Sequence, residues 1–213
     1  TEADLDHLAD LLGDHGCYLI SDEIYEKLNF SGTPHLSPAK REELARRTIT
    51  INGFSKAFSM TGWRIGYLVV PDALLMPSVS RLQQHMNTNT ATFIQKAAAA
   101  TFDLPTRFLD DYNRRLAANS NALCEMVAKN PLLNLVPSQG GLFAFMDISR
   151  TGMASDPFAA GLLREKLVAA TPGIVFGAGW DTHLRVSLAI EPTAFQESME
   201  RLDAYVEGLP GPR

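Results

Sequence analysis

The sequence predicts an α/β fold, with a sheet domain followed by a smaller α+β domain. Over residues 1–70, short apolar or β-branched runs alternate with a loop, a charged helix and a turn, which is the order of elements in an α/β sheet. A long amphipathic helix is expected over 105–129. Strands and helices mix in the remainder, which suits a small α+β domain. We therefore divide the chain into 1–104 and 105–213.

The elements of the first domain follow from apolar spacing and turn residues. Leu5, Leu8 and Leu12 line one face of a first helix. Further elements are predicted from runs of β-branched residues, charges and Gly or Pro. They are a turn at 13–16, strands at 17–20, 48–52 and 66–70, a loop at 29–40, and helices at 42–47, 72–86 and 92–102. Pro77 is expected to interrupt the helix at 72–86, and the Asn and Thr residues at 87–90 to cap the helix at 92–102.

The second domain opens with the long helix, whose apolar stripe we interpret as core packing. The remaining elements are predicted at strands 132–136 and 142–148, joined by a turn at 137–141, a helix at 157–170, a short strand near Ile174, a strand at 184–188 and a helix at 193–206.

Composition indicates an ordinary globular protein. The 213 residues are 46% hydrophobic and 20% charged, with a net charge of -5, which argues against nucleic-acid binding. No apolar run approaches the roughly 20 residues that a membrane span needs. Cys17 and Cys124 are too few for a disulfide framework or a zinc cluster, so we expect buried, reduced thiols and a cytoplasmic location.

One stretch carries the chemistry: Asn52–Tyr67, which reads NGFSKAFSMTGWRIGY and follows a predicted strand. A lysine alone would be interpreted as a solvated surface charge. Here Lys56 stands among small and hydroxyl residues just past a strand end, where α/β folds bind ligands. The glycines Gly53 and Gly66 indicate tight turns and close backbone approach.

This stretch resembles the lysine signature of class I/II aminotransferases, the fold-type-I pyridoxal-phosphate enzymes related to aspartate aminotransferase. The family pattern is Gly, any residue, Ser or Ala, Lys, a small-residue turn, Trp-Arg, and Ile or Leu followed by Gly. The matching residues are Gly53, Ser55, Lys56, Gly62, Arg64 and Gly66. The resemblance covers essentially all of the chain but only the C-terminal half of the family fold. Because a family member has about as much chain again before the first helix, we expect a fragment.

The resemblance implies a role for each matching residue toward pyridoxal 5′-phosphate. Lys56 forms the Schiff base and moves the substrate proton. Asp22 holds the ring nitrogen protonated, and Tyr25 hydrogen-bonds the 3′-oxygen. Ser55 and Arg64 bind the phosphate, with Arg64 expected to be partly buried. Glu23 has no ring contact in this scheme and is expected to serve the structure.

A second resemblance lies near the C-terminus, where HLRVSLA is similar to the family's late His-x-Arg-x-Ser-x-Ala strand. It implies that Arg185 clamps the substrate α-carboxylate. A structural salt bridge is the alternative for this arginine, since a charge within an apolar strand needs a partner. The five histidines show no metal-ligand spacing, so no metal site is predicted, and they are interpreted as ordinary surface or core residues.

These residues together predict an aminotransferase that moves an amino group from an amino acid to a 2-oxo acid. The full-length protein is expected to be a homodimer in which the break at 87–92 reaches the partner's site, and the fragment is expected to be inactive alone. Two alternatives remain open. One is another pyridoxal-phosphate reaction on the same fold (a decarboxylase, lyase or oxidase). The other is a ligand-sensing, aminotransferase-like domain of a transcription regulator.

Overall fold

The computed structural model describes residues 1–13 and 15–209. Its contacts divide the chain into two compact units. The first unit comprises Thr1–Asn29 and Thr33–Leu109, and the second comprises Phe30–Gly32 and Asp110–Arg213. Each unit has its own sheet.

The secondary structure follows the predicted order of elements. The α-helices are α1 (Glu2–Gly13), α2 (Glu42–Ala45), α3 (Met76–Asn87), α4 (Thr92–Ala100), α5 (Arg107–Lys129), α6 (Ser155–Lys166) and α7 (Pro192–Glu207). The strands are β1 (Leu19–Asp22), β2 (Thr48–Gly53), β3 (Gly66–Val69), β4 (Asn134–Leu135), β5 (Phe143–Asp147), β6 (Thr171–Pro172) and β7 (His183–Ser187). Short 3₁₀ turns connect several of them.

The sheet of the first unit has the order β1-β2-β3, with β1 parallel and β3 antiparallel to β2. Asp22 is paired with Ile51, and Gly53 is paired with Gly66. Parallel strands bring their carboxyl ends to the same edge of a sheet, and β3 begins at that edge because it runs the other way. Residues that follow β1 and β2 therefore meet residues that precede β3.

Helix α1 packs through the predicted leucine face. Leu5 and Leu12 are buried against Leu44 of α2, and Leu8 packs against the same cluster. Arg41 fixes the outer side of the helix through ion pairs with acidic residues of α1. The spacing of the three leucines therefore predicted this face correctly.

The faces of the first sheet are unusual. Thr48 and Thr50 point to the covered face and are buried. On the opposite face, the register places Ile20 beside Ile49, and Leu68 beside Ile51. Ile20 is 65% exposed and Leu68 48% exposed. We call these four residues the open apolar face.

The sheet of the second unit has the order β4-β5-β7-β6 and is antiparallel throughout. Burial alternates along β5 and β7, as expected for strands with one face on a core. The core of this unit is built from apolar side chains of the strands and helices. Its most buried members include Met146, Phe158, Leu162, Leu184, Phe195 and Leu202.

Three predictions about the ends of elements were wrong in the first unit. β1 begins at Leu19 and not at Cys17, which is an exposed free thiol. α3 begins at Met76 because Pro77 lies in its first turn, where proline starts a helix and does not interrupt one. α4 is preceded by Ala91 without a side-chain cap, so the predicted Asn and Thr capping does not occur. The predicted turn at 13–16 includes residue 14, which lies outside the described residues.

In the second unit, the strand predicted near Ile174 was wrong. Ile174 lies in the 3₁₀ turn Gly173–Phe176, and the strand is the preceding pair Thr171–Pro172. Cys124 is half-buried and free, and its burial raises the pKa of the thiol. This fits the predicted reduced thiol at Cys124, whereas Cys17 is more exposed than predicted.

The described helices were also compared with the dimensions of a bilayer. Among residues 1–13 and 15–209, no helix combines the length and the apolar character needed to cross a membrane.

Candidate active site

Lys56 lies in a turn directly after β2. The turn is held by buried Phe54 and Ala57, and the Met60 amide donates a hydrogen bond of 3.2 Å to the Phe54 carbonyl. Lys56 itself is half-buried, and its Nζ lies 5.9 Å from the centre of the Tyr25 ring. Within the described part of the chain, no carboxylate pairs with this ammonium. Lys56 and Tyr25 are thus brought together, and the amine has no acidic partner among the described residues.

The two glycines that flank the lysine turn are required by close backbone approach. A Cβ on Gly66 would lie 2.8 Å from the Asn52 carbonyl oxygen. A Cβ on Gly53 would lie 3.2 Å from the Gly66 Cα. Because both obstacles are backbone atoms, a side chain at Gly66 could be accommodated only by moving β2 and β3 apart. These glycines fix the distance between the lysine turn and the start of β3.

Asp22 is the last residue of β1 and is exposed. Its Oδ1 accepts a hydrogen bond of 3.2 Å from the Ile24 amide, which holds the carboxylate at the strand end. The other oxygen, Oδ2, accepts no hydrogen bond from residues that the structure describes. Since β1 and β2 are parallel, Asp22 lies at the same sheet edge as Lys56.

Ser55 and Arg64 lie at the two ends of the motif. Ser55 is half-buried, and its hydroxyl has no hydrogen-bond partner among the described side chains and backbone. Arg64 is exposed, so its predicted partial burial was wrong: it follows the exposed 3₁₀ turn Thr61–Trp63. Its Nη1 donates to the Thr61 carbonyl at 3.1 Å, and no described carboxylate pairs with it. The guanidinium therefore remains open to an anion.

The backbone of the motif is strained at two residues. Ser59 and Arg64 have φ angles of 54° and 51°, in the left-handed region that side chains disfavour. Such strain persists only where surrounding contacts impose it, and it concentrates at functional sites.

Next to Asp22, a network that the sequence did not reveal surrounds Glu23, which is 5% exposed. Its Oε1 accepts hydrogen bonds from Ser37 at 2.7 Å and Ser21 at 3.1 Å, and its Oε2 lies 3.0 Å from His35 Nε2. Glu23 thus ties the end of β1 to the following loop, in keeping with the structural role expected for it. His35 is a member of this network and not an ordinary surface residue.

Glu26 also lies near this network. Glu23, Glu26 and His35 each offer a ligand atom within 4.8 Å of the others. Both oxygens of Glu23 are already engaged by the hydrogen bonds described above. We therefore interpret the group as part of the support for Asp22.

A small pocket in the first unit lies beside Glu26 and the residues that flank Lys56. Asn52, Phe54 and Tyr67 are among its lining residues. Neither Lys56 nor Asp22 lines it, so we do not assign it to the site. The pKa of Tyr67 is raised, first by burial and then by the charges of Glu26 and Glu23, which keeps this phenol protonated at neutral pH.

Arg185 lies in the second unit, on the face of β7 opposite the core. Its guanidinium carbon is 4.3 Å from the centre of the Phe143 ring and 5.2 Å from that of Phe176. Its Nη2 donates to Thr171 Oγ1 at 3.3 Å, while Nε is buried and has no partner. No described carboxylate lies within ion-pair distance, so the structural salt bridge lacks an acidic partner here.

Further aromatic rings adjoin Arg185, and sequence reasoning missed them as a group. Phe145 lies 5.8 Å from Phe176, 5.3 Å from Trp180 and 4.9 Å from His183, measured between ring centres. The alternation of Phe143, Phe145 and Arg185 along two paired strands was the available signal, since it puts all three on one face.

The chain matches the family model described as aminotransferase class I and II over residues 1–202. It is 32% identical over 209 residues to aromatic-amino-acid aminotransferase 2 of Thermococcus litoralis, covering 97% of this chain and 53% of the relative. It is 34% identical over 213 residues to aspartate aminotransferase of Bacillus sp. strain YM-2, covering 97% and 54%. The chain therefore spans about half the length of the curated relatives it matches.

The chain also spans about half the length of the solved structures that it matches. The aromatic aminotransferase of Pyrococcus horikoshii superposes with a TM-score of 0.91 at 31% identity, over 97% of this chain and 56% of the other. Cystalysin of Treponema denticola, whose crystal structure contains pyridoxal 5′-phosphate, superposes with a TM-score of 0.92 at 21% identity, over 99% and 54%. The second likeness concerns the fold alone.

Proposed function

Since the chain belongs to the class I and II aminotransferases, we propose that it serves pyridoxal-phosphate-dependent transfer of an amino group from an amino acid to a 2-oxo acid. The observation that carries this proposal is Lys56. Its amine lies 5.9 Å from the Tyr25 ring at the sheet edge that also carries Asp22, and no described acid neutralises it.

The donor set at this edge fits the cofactor. When bound, pyridoxal phosphate supplies a carbonyl carbon that reacts with amines and a ring that accepts electrons. Lys56 would hold that carbonyl carbon through its amine and would move a proton at the substrate α-carbon. Asp22, with its free Oδ2, would hold a proton on the ring nitrogen, and the Tyr25 hydroxyl would donate to the 3′-oxygen. In support, none of these groups is committed to an ion pair in the described residues.

The phosphate end is assigned to Ser55 and Arg64. An anion with three oxygens needs several donors and positive charge. The Ser55 hydroxyl has no hydrogen-bond partner among the described residues. The Arg64 guanidinium is exposed and donates one hydrogen bond, to the Thr61 carbonyl. These two side chains supply a hydroxyl donor and a planar fork suited to phosphate.

The α-carboxylate of the substrate is assigned to Arg185. Among the described residues this cation has aromatic neighbours and one hydroxyl partner but no acid. A buried donor without a partner costs about 1 to 3 kcal/mol, a cost that an incoming carboxylate would relieve. The pair of aromatic rings also limits the orientations of the guanidinium plane.

The wider organisation follows from the same proposal. Residues 1–104 would belong to the cofactor-binding domain and 105–213 to the linking helix and small domain. We also propose a homodimer, because α3 has no buried residue and exposes Leu82 by 61% and Met86 by 68%. The break at 87–92 follows this helix and would reach the partner's site. A cytoplasmic location stays a prediction.

The experiment that tests the proposed reaction is product analysis. The full-length protein is incubated with pyridoxal phosphate, an oxo acid and a panel of amino donors labelled with ¹⁵N on the amine and ¹³C on the carboxylate. Transamination transfers the ¹⁵N to the oxo acid and leaves the ¹³C in the keto product. Release of labelled carbon dioxide or free ammonia would instead assign a decarboxylase, lyase or oxidase reaction on the same fold.

A further inference from the structure

The structure assigns a substrate class to the Arg185 site: we propose that it takes a monocarboxylate whose side chain is aromatic. This inference rests on the proposed function, since it uses Arg185 as the carboxylate clamp. It is carried by Phe143, Phe145, Phe176 and Trp180, which we call the aromatic platform. All four lie in the second unit with Arg185.

The platform is continuous with the guanidinium. Phe143 and Phe176 lie 4.3 Å and 5.2 Å from the Arg185 guanidinium carbon. From Phe176 the rings continue to Phe145 at 5.8 Å and from there to Trp180 at 5.3 Å, both in edge-to-face geometry. A carboxylate bound at Arg185 therefore has aromatic surface within reach of its own side chain.

The platform is open where a side chain would lie. Phe176 is 44% exposed and Trp180 is 48% exposed, so about half of each large apolar ring faces outward. An exposed group of apolar rings rimmed by polar residues is a feature of ligand-binding grooves. An aromatic side chain of a ligand bound on Phe176 and Trp180 would bury its own ring against theirs.

The charges on this face argue against a second carboxylate. The register of β5 and β7 places Asp147 opposite His183 on the same face as Arg185. His183 is stacked on Phe145, with a ring-plane angle of 15°, and its Nδ1 lies 3.1 Å from Thr182 Oγ1. A dicarboxylate extending along the strands would bring its second charge toward Asp147. The site therefore favours an aromatic monocarboxylate over a dicarboxylate.

Calorimetric titration tests this class without the cofactor or turnover. The purified protein is titrated with 3-phenylpropanoate, hexanoate and glutarate, which carry an aromatic ring, an alkyl chain and a second carboxylate. We expect 3-phenylpropanoate to bind roughly tenfold tighter than either of the others, the scale of one ring contact. Arg185→Met should abolish binding of all three, with the fold checked by circular dichroism.

One variant and one control test whether the aromatic platform causes the preference for an aromatic carboxylate. Phe176→Leu, which keeps an apolar side chain but removes a ring, should bring the affinity for 3-phenylpropanoate down to that for hexanoate. Val136→Ala is the matched control, because Val136 is an 82%-exposed apolar residue of the same unit outside the platform, and it should change nothing.

The outcomes separate this inference from the proposed function. Equal affinities, tighter glutarate binding, or a preference that survives Phe176→Leu would overturn the aromatic class while leaving Arg185 as a carboxylate site. Absence of binding by all three carboxylates to the folded protein would overturn the Arg185 assignment, and the aromatic class with it.

Discussion

Among single residues, the first prediction concerns the carboxylate of Asp22. In the full-length protein, Asp22→Ala should leave the cofactor attached through Lys56 but lower the turnover roughly 100-fold or more, because nothing then keeps the ring nitrogen protonated. The visible absorbance of the bound cofactor and the transamination rate are measured together. Asp10→Ala, at an exposed position of α1, is the control. Full turnover in Asp22→Ala would refute the assigned ring contact.

The second prediction for a single residue concerns Arg185. Arg185→Lys replaces a planar fork by a point charge, so in the full-length protein the KM for amino acids and oxo acids should rise about tenfold while cofactor affinity is unchanged. Steady-state kinetics and a cofactor titration measure the two effects separately. Arg164→Lys, at a side chain that is 73% exposed, serves as the control. An unchanged KM would mean that Arg185 has a structural role.

Single residues also show which features of the site could be predicted from the sequence and which could not. The motif predicted the location of Lys56 and the close approach at Gly66, because both depend on local chain geometry. The burial of Glu23 by Ser37 and His35 was not predicted, because it depends on a loop folding back onto β1. Arg64 was predicted to be more buried than it is, since apolar sequence neighbours do not determine which way an exposed turn presents its side chains.

At the scale of elements, the lysine turn depends on the contact between the end of β2 and the start of β3. Gly66→Ala would place a Cβ 2.8 Å from the Asn52 carbonyl oxygen, so it should destabilise the protein by about 1 to 3 kcal/mol. Urea unfolding measures the change. Gly62→Ala lies in the same motif with nothing within 4 Å of the new Cβ and should cost little. Equal effects of the two substitutions would show that the strand approach is not what requires Gly66.

Elements were predicted well where one local signal decided them. The leucine spacing of α1 gave the correct face of that helix. Predicted boundaries were wrong where the same residue type occurs in two kinds of structure. Pro77 was interpreted as an interruption of a helix but lies in the first turn of α3, and the apolar residues around Ile174 form a 3₁₀ turn. Apolar character alone does not distinguish a short strand from a turn that covers a sheet.

At the scale of the whole molecule, the first unit leaves apolar surface uncovered. The open apolar face exposes Ile20 and Leu68, and α3 has no buried residue. The chain matches relatives about twice its length. We therefore predict that the 213 residues assayed by themselves associate and show no measurable transamination, because an active site must be pre-organised to act.

This prediction is checked with two measurements on the purified chain. Light scattering reports association, and an assay with pyridoxal phosphate and a panel of amino donors reports turnover. A monodisperse monomer with turnover comparable to that of an intact family member would contradict the account.

The central claim is that Lys56 holds the cofactor, and chemical trapping tests it most directly. The protein is incubated with pyridoxal phosphate, reduced with borohydride, digested and analysed by mass spectrometry for the pyridoxyl group. We predict that the label is concentrated on Lys56, is lost in Lys56→Ala, and is unaffected by Lys96→Ala, a change at an exposed lysine of α4. Label spread evenly over exposed lysines, or the same amount of label on the Lys56→Ala variant, would contradict it.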